Sequence, residues 1–188
     1  MESLGLRHPS HSAGAWIACR IAGLRFVSLL DAIAPGLLVA QAIGRLGNYF
    51  NHELFGTPTD LPWGMVYSAG AYPPSAAFRD FPEIVSRYGV NGIVPDTIPV
   101  HPTPLYEFAT GVLIFLLLWK LRKRDVPDGT QFMLYLILSG IARFAVEFLR
   151  VNPRLLAGLS EAQLIAAVMV AIGFIGLRRV RPAQEKAA

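Results

Sequence analysis

The sequence is poor in charge. Asp, Glu, Lys and Arg make up 16% of its 188 residues, against roughly 25% in an average soluble domain, which argues against a water-soluble globular enzyme. Disorder is excluded as well, because a chain that is 53% hydrophobic does not stay solvated. There is one cysteine, Cys19, so no internal disulfide holds the fold. No glycine-rich nucleotide loop and no HExxH pair is present. The four histidines, His8, His11, His52 and His101, lack metal-ligand spacing. Ser139 precedes Gly140, but Ile137 stands two before it where a GxSG motif needs glycine. The first twelve residues lack the apolar run and cleavage site of a signal peptide, and no internal repeat is visible. The net charge of +4 and pI near 9.5 raise the question of nucleic acid. The basic residues, however, sit in short clusters between apolar blocks and are not interleaved with aromatics, so no nucleic-acid partner is expected.

What remains is a chain of long apolar blocks. A bilayer core of roughly 30 Å takes about 20 apolar helical residues, and four windows approach that: 26–43, 105–121, 131–149 and 160–177. The first holds one charge, Asp31, and one kink residue, Pro35; the third holds Arg143 and Glu147. A shorter apolar fragment, 13–24, reads as part of a further helix. The expected fold is an all-α membrane protein, a polytopic helical bundle of about four full transmembrane helices plus a partial N-terminal helix. Between the first two windows, 65–104 is rich in Pro, Gly and Tyr without helical period; it reads as an irregular extracytoplasmic loop or small cap with short strands.

Basic clusters set the orientation. Arg20 and Arg25 precede the first window, Lys120, Arg122, Lys123 and Arg124 end the second, and Arg178, Arg179 and Arg181 follow the fourth. The positive-inside rule makes all three cytoplasmic. The C-terminus is then cytoplasmic, and 44–104 and 151–159 face outward. Arg150 and Arg154 are exceptions to the rule.

Polar groups inside apolar segments are costly, at least ~2.5–3.5 kcal/mol for a charge, and three constellations qualify. In the first, Gln41, Arg45, Asn48 and His52 share one face if the helix continues past residue 43. Gly44 and Gly47 would then allow a helix or ligand close to Arg45. Arg45 reads either as a bidentate phosphate ligand or as a snorkelling arginine beside packing glycines. In the second, Tyr135, Ser139, Arg143 and Glu147 recur every four residues, with Arg150 three further on. Arg143 and Glu147 can pair, as a structural ion pair or as part of a site. In the third, His101 to Glu107 opens the second helix with Pro104 in its first turn. Glu107 suits the positive end of the helix dipole, and His101 reads either as a general base or as a loop hydrogen-bonder.

Together these motifs are specific. Gly44-Arg45-Leu46-Gly47-Asn48, then Asn51, Glu53, Gly56, Thr59 and Pro62-Trp63-Gly64, resemble the signature of the prolipoprotein diacylglyceryl transferase family. His101-Pro102-x-x-Leu105-Tyr106-Glu107 and Arg143-Phe144, Glu147-Phe148, Arg150 resemble two further family motifs in the same order. The resemblance covers roughly 13–177. It implies a bacterial inner-membrane enzyme that moves the diacylglyceryl group of phosphatidylglycerol onto the lipobox cysteine thiol of a prolipoprotein, forming a thioether and releasing glycerol 1-phosphate. No metal and no other cofactor is implied; the partners would be the lipid donor, the signal peptide and the bilayer. By the family pattern the catalytic set is Arg45, Arg143, Glu147 and His101. The lipid-binding set is Arg45, Asn48, Asn51, Glu53, Gly56, Glu107, Arg143 and Arg150. The thiol base is open between His101, His52 and an arginine-depressed thiol pKa.

Two departures accompany the resemblance. The family has about seven membrane helices, with a glycine-rich stretch that often carries a histidine; 6–12, which includes His11, stands in its place, so the chain reads as N-terminally truncated. Ser139 occupies a position where the family usually has tyrosine. A small anion transporter relaying charge through Arg45 and Arg143, or an inactive truncated homologue, is the alternative.

Overall fold

A computed structural model describes residues 11–153, 155 and 158–180. His8, Arg154 and Arg181, and the side chain of His11, lie outside what is described. Among the described residues, four helices are long and apolar enough to cross a membrane. After a short helix α1 (His11–Ile21) come α2 (Phe26–Phe50), α5 (Thr103–Leu121), α6 (Thr130–Val146) and α7 (Glu161–Arg179). Between α2 and α5 the chain forms a cap. It holds β1 (Met65–Val66), the short helices α3 (Pro74–Ala77) and α4 (Pro82–Tyr88), and β2 (Pro99–Val100), which pairs antiparallel with β1.

Outward faces of the long helices are apolar. Leu113, Leu116 and Leu117 on α5 and Ile165, Val168 and Ile172 on α7 are all exposed, as expected of surfaces solvated by lipid rather than water. Helix-to-helix packing depends on small residues instead. At Gly140 of α6 a Cβ would lie 2.9 Å from the Ala166 carbonyl, and at Gly173 of α7 it would lie 2.9 Å from the Met133 carbonyl. Glycine at these two positions lets α6 and α7 touch backbone to backbone.

Gly44 and Gly47, expected to permit a close approach, have nothing within 4 Å of their Cβ positions among the described residues. The close approach of α2 to α5 falls at Ala42, whose Cβ would lie 3.6 Å from a Cβ placed on Gly111. His52 departs from expectation. Helix α2 stops at Phe50, and His52 turns back with φ +56°, leaving the Arg45 face. It stacks edge-on against Tyr67, 5.4 Å between ring centres.

The cap is ordered around Phe55, Tyr67, Phe78, Val94 and Val100, with Tyr49 of α2 packed against them. Burial, with Tyr49 nearby, pushes the Tyr67 hydroxyl up to about 12, so it stays protonated. The cap is joined to the bundle at Gly56. A Cβ there would meet the Leu149 carbonyl at 2.5 Å and Thr103 Cγ2 at 2.8 Å. Backbone bonds from Gly56 to His101 (2.8 Å) and from Thr57 to Leu149 (2.7 Å) tie the end of α6 and the start of α5 to one point.

The opposite end is fixed by Asp31. This buried carboxylate of α2 accepts the backbone N–H groups of Gly129 (2.6 Å) and Phe132 (2.8 Å), so it caps α6 from a neighbouring helix. Gly129 has no side chain to do so and sits in the left-handed region at φ +97°. The one charge in the first apolar window is thereby explained. Asp31→Ala is expected to lower stability by about 2 kcal/mol through lost charge-assisted capping. Thermal unfolding in detergent should show it, with Asp31→Asn recovering part of the loss.

Candidate active site

Three helices place charges at the cap end of the bundle. Arg45 rises from α2, Glu107 from the second turn of α5, and Arg143 from the last turn of α6. The chain then tightens into a 3-10 turn, Glu147–Leu149, which brings Glu147 under Arg143 and delivers Arg150. Glu107 is the common partner. Its Oε1 lies 2.6 Å from Arg143 Nη1, and its Oε2 lies 3.1 Å from Arg45 Nε and 3.8 Å from Arg150 Nη1. Glu107 thus binds arginines rather than capping its helix dipole, because it lies beyond the first turn of α5. Its side chain is 9% exposed.

Arg143 spans both carboxylates, with Nη2 at 3.1 Å from Glu147 Oε2. Glu147 is fully buried. Its Oε1 accepts the hydroxyl of Ser160 at 2.8 Å and the amide of Asn152. Ser160 in turn caps α7, accepting the Gln163 N–H while Gln163 accepts its own. The Ser160-x-x-Gln163 spacing, a sequence signature of a capping box, is a signal for this link that the sequence analysis did not use. Burial, and Arg143 beside it, hold Arg150 below its ordinary pKa, though a guanidinium keeps its proton.

Three guanidiniums face two carboxylates, so one positive charge is unmatched. Arg45 touches Glu107 through Nε only; its two terminal nitrogens make no ion pair or hydrogen bond among the described residues. That leaves a free two-pronged donor, the geometry that grips a phosphate or carboxylate bidentately.

Below the cluster lies a cavity of about 370 Å³ between α2, α5, α6 and α7. Arg45, Glu107 and Arg143 line its polar end, with Thr110 and Ser139; Leu38, Ile114, Ile165 and Met169 line the rest. The Ser139 hydroxyl is buried there without a hydrogen-bond partner among the described residues. Gln41 also lines the cavity and donates to the Tyr135 hydroxyl at 2.9 Å, a link between α2 and α6 that spacing alone did not reveal.

The other expected residues stand apart from this cavity. Asn48 accepts the Glu53 backbone N–H through its own backbone carbonyl, and Asn51 ends α2 on the exposed surface. Gly56 is the crossing point of three backbones described above. Glu53 lines a second cavity on the cap side. The His101 ring engages Tyr106, Nδ1 to Oη at 3.3 Å, while Trp63 Nε1 donates to the same hydroxyl at 2.8 Å. The Tyr106 hydroxyl thus accepts from Trp63 and shares a second bond with Nδ1, whose direction follows the imidazole tautomer. Burial holds His101 below its usual 6.5.

A pH dependence follows. Between the folded value and 6.5 the unfolded state binds more protons, so the stability of this junction falls as pH drops through that window. Protection of the His101 amide, bonded to Thr57 at 3.0 Å, measured as its exchange rate relative to an unstructured amide at the same pH, is expected to fall below about pH 6.5. His101→Gln should remove that dependence.

The fold and its polar centre define a polytopic helical membrane protein with an arginine–carboxylate cluster at the head of an intramembrane cavity. Residues 11–179 match the prolipoprotein diacylglyceryl transferase family. The chain belongs to that family. It is 40% identical over 172 residues to the phosphatidylglycerol–prolipoprotein diacylglyceryl transferase of Mycobacteroides abscessus, covering 90% of this chain and 48% of the relative. The protein of that name from Cutibacterium acnes is 37% identical over 161 residues, covering 85% and 48%. That from Nocardia farcinica is 42% identical over 158 residues, covering 84% and 29%. The chain thus spans about half or less of the length of these relatives.

Proposed function

We propose that this chain carries the site that transfers the diacylglyceryl group of phosphatidylglycerol to the cysteine thiol of a prolipoprotein lipobox, the first step of bacterial lipoprotein maturation. The observation that supports it most is the pairing of an arginine cluster with an apolar cavity inside the bilayer. The phosphodiester meets the unmatched positive charge, and an acyl chain lies along Leu38, Ile114 and Met169. Arg45 and Arg143 grip the phosphate; Glu107 and Glu147 hold the guanidiniums in register; Arg150 adds charge from the cap side.

In the reaction the thiolate sulfur bonds to the glyceryl carbon. The carbon–oxygen bond to phosphate breaks with its electron pair on oxygen, glycerol 1-phosphate leaves, and the thiol proton passes to solvent. The leaving phosphate gains a negative charge, which fixed guanidiniums in a water-poor site stabilise more than they stabilise the diester. The same positive field favours thiolate over thiol. His101, tied to Tyr106, acts as a positioning residue at the junction of cap and α5. The positive-inside rule, applied to the basic ends at Lys123, Arg124, Arg178 and Arg179, supports a cytoplasmic C-terminus and a cluster at the extracytoplasmic face of the inner membrane.

The test uses the full chain in vesicles of phosphatidylglycerol with a cysteine peptide. A peptide whose mass rises by one diacylglyceryl group, with glycerol 1-phosphate released in equal amount, is the expected result. Phosphate flux across the vesicle without an adduct would overturn the reading in favour of a transporter.

A further inference from the structure

Arg150 faces two compartments. It reaches Glu107, which lines the membrane cavity, and it also lines the cap-side cavity of about 310 Å³. Arg150 and Glu107 therefore form the wall between the two. The second cavity is built differently from the first. Its aromatic floor is Phe55 and Phe78, both buried, and its rim is Tyr72 and Leu54, both exposed to solvent. Leu54 holds a left-handed backbone, φ +57°, a conformation that bulky residues adopt only when their surroundings enforce it. The charged groups on its lining are one of each sign, Arg150 and Glu53.

We propose that this cap-side cavity binds the peptide that carries the acceptor cysteine, as an extended segment with an apolar side chain on the Phe55–Phe78 floor. The proposal rests on the transferase reading above. An extended peptide offers a carbonyl and an N–H at each residue, which match a guanidinium and a carboxylate held on one lining. The site is at the small end of ligand pockets, roughly 300–1,000 Å³, so it takes one or two residues and not a two-chain lipid. A glycerol phosphate fits it poorly, because its walls are largely apolar and Glu53 repels an anion. A cysteine held at the wall meets Arg150 from the cap side, while the lipid phosphate meets Arg45 and Arg143 from the membrane side.

Binding can be read apart from transfer. The full chain in phosphatidylcholine nanodiscs is titrated with a fluorescent peptide carrying one cysteine beside leucine, followed by anisotropy. Ala77 lines the cavity beside Phe78, and Ala71 lies at its exposed rim. Ala77→Leu and Ala71→Leu are each expected to weaken peptide binding about tenfold and to leave phosphatidylglycerol binding within about twofold. Ala71→Leu projects from the surface and so tests the cavity even if Ala77→Leu perturbs the cap. Exchanging the peptide's leucine for aspartate should weaken binding to the wild type about tenfold and to Ala77→Leu much less. Peptide affinity unchanged in both variants overturns the proposal. So does weakened binding of glycerol 1-phosphate in place of peptide, which would make the cavity the product's exit. Peptide binding that depends on the cavity without any transfer would remove the transferase reading and leave this one standing.

Discussion

Arg45→Ala is expected to lower transfer about 10³-fold while leaving the protein folded in the bilayer. The size follows from what the residue offers. Removing one preorganised donor from a developing oxyanion costs roughly 10²–10³-fold, and an arginine that meets transferring phosphate is worth roughly 10³–10⁵-fold. Folding should survive, because Arg45 has one ion pair, through Nε, and its side chain is 29% exposed; such pairs contribute about 1 kcal/mol or less. Arg45→Lys should rescue little, since an ammonium cannot present two parallel donors. Arg143→Ala should abolish transfer to at least the same degree, but it also strips the cation from Glu147, so its unfolding midpoint should fall too. Initial rates of adduct formation beside thermal unfolding of the same variants make the comparison. Activity persisting in both alanine variants would remove the phosphate clamp from the mechanism.

Glu107→Gln should be the most disruptive change that keeps shape. It leaves Arg45 and Arg150 without a carboxylate and Arg143 with Glu147 alone. Breaking a buried pair by removing one partner costs about 3–5 kcal/mol, and here one carboxylate serves three cations. The extra unmatched positive charge should not weaken attraction for an anionic lipid. The expected signature is therefore a kcat lower by about 10²-fold with KM for phosphatidylglycerol not raised. A helix-dipole role for Glu107 predicts a different result, a loss of about 1 kcal/mol or less and normal kcat. Titrating transfer rate against lipid in the wild type and the variant separates the two.

The sequence disclosed what is local. Long apolar windows announced the four long helices, and Arg143 and Glu147 at one helical turn's spacing announced their pairing. The extension of α2 to Phe50 was visible only as a condition on Arg45 and Asn48 sharing a face. What stayed hidden is non-local. Glu107 meets Arg143 across 36 residues, and nothing in the His101 to Glu107 motif distinguishes a counter-ion from a helix cap. His52 left the expected face because two left-handed residues, His52 and Leu54, reverse the chain just after the helix. Periodicity does not register such a reversal. The cap read as irregular because its strands are two residues long, too short to display alternation, and its order comes from aromatic packing around Tyr67.

The Asp31 cap sets an order on assembly. Its backbone partners lie 98 and 101 residues later in the chain. At about 5–20 residues per second of synthesis, α2 waits roughly 5–20 s before the start of α6 arrives. During that interval the carboxylate lacks its native backbone partners, and an unpaired charge in lipid costs at least ~2.5–3.5 kcal/mol. Gly129 and Phe132 supply those partners at the start of α6, and the same helix carries Arg143 at its other end. The cap that satisfies Asp31 and the arginine that meets Glu107 therefore depend on one helix.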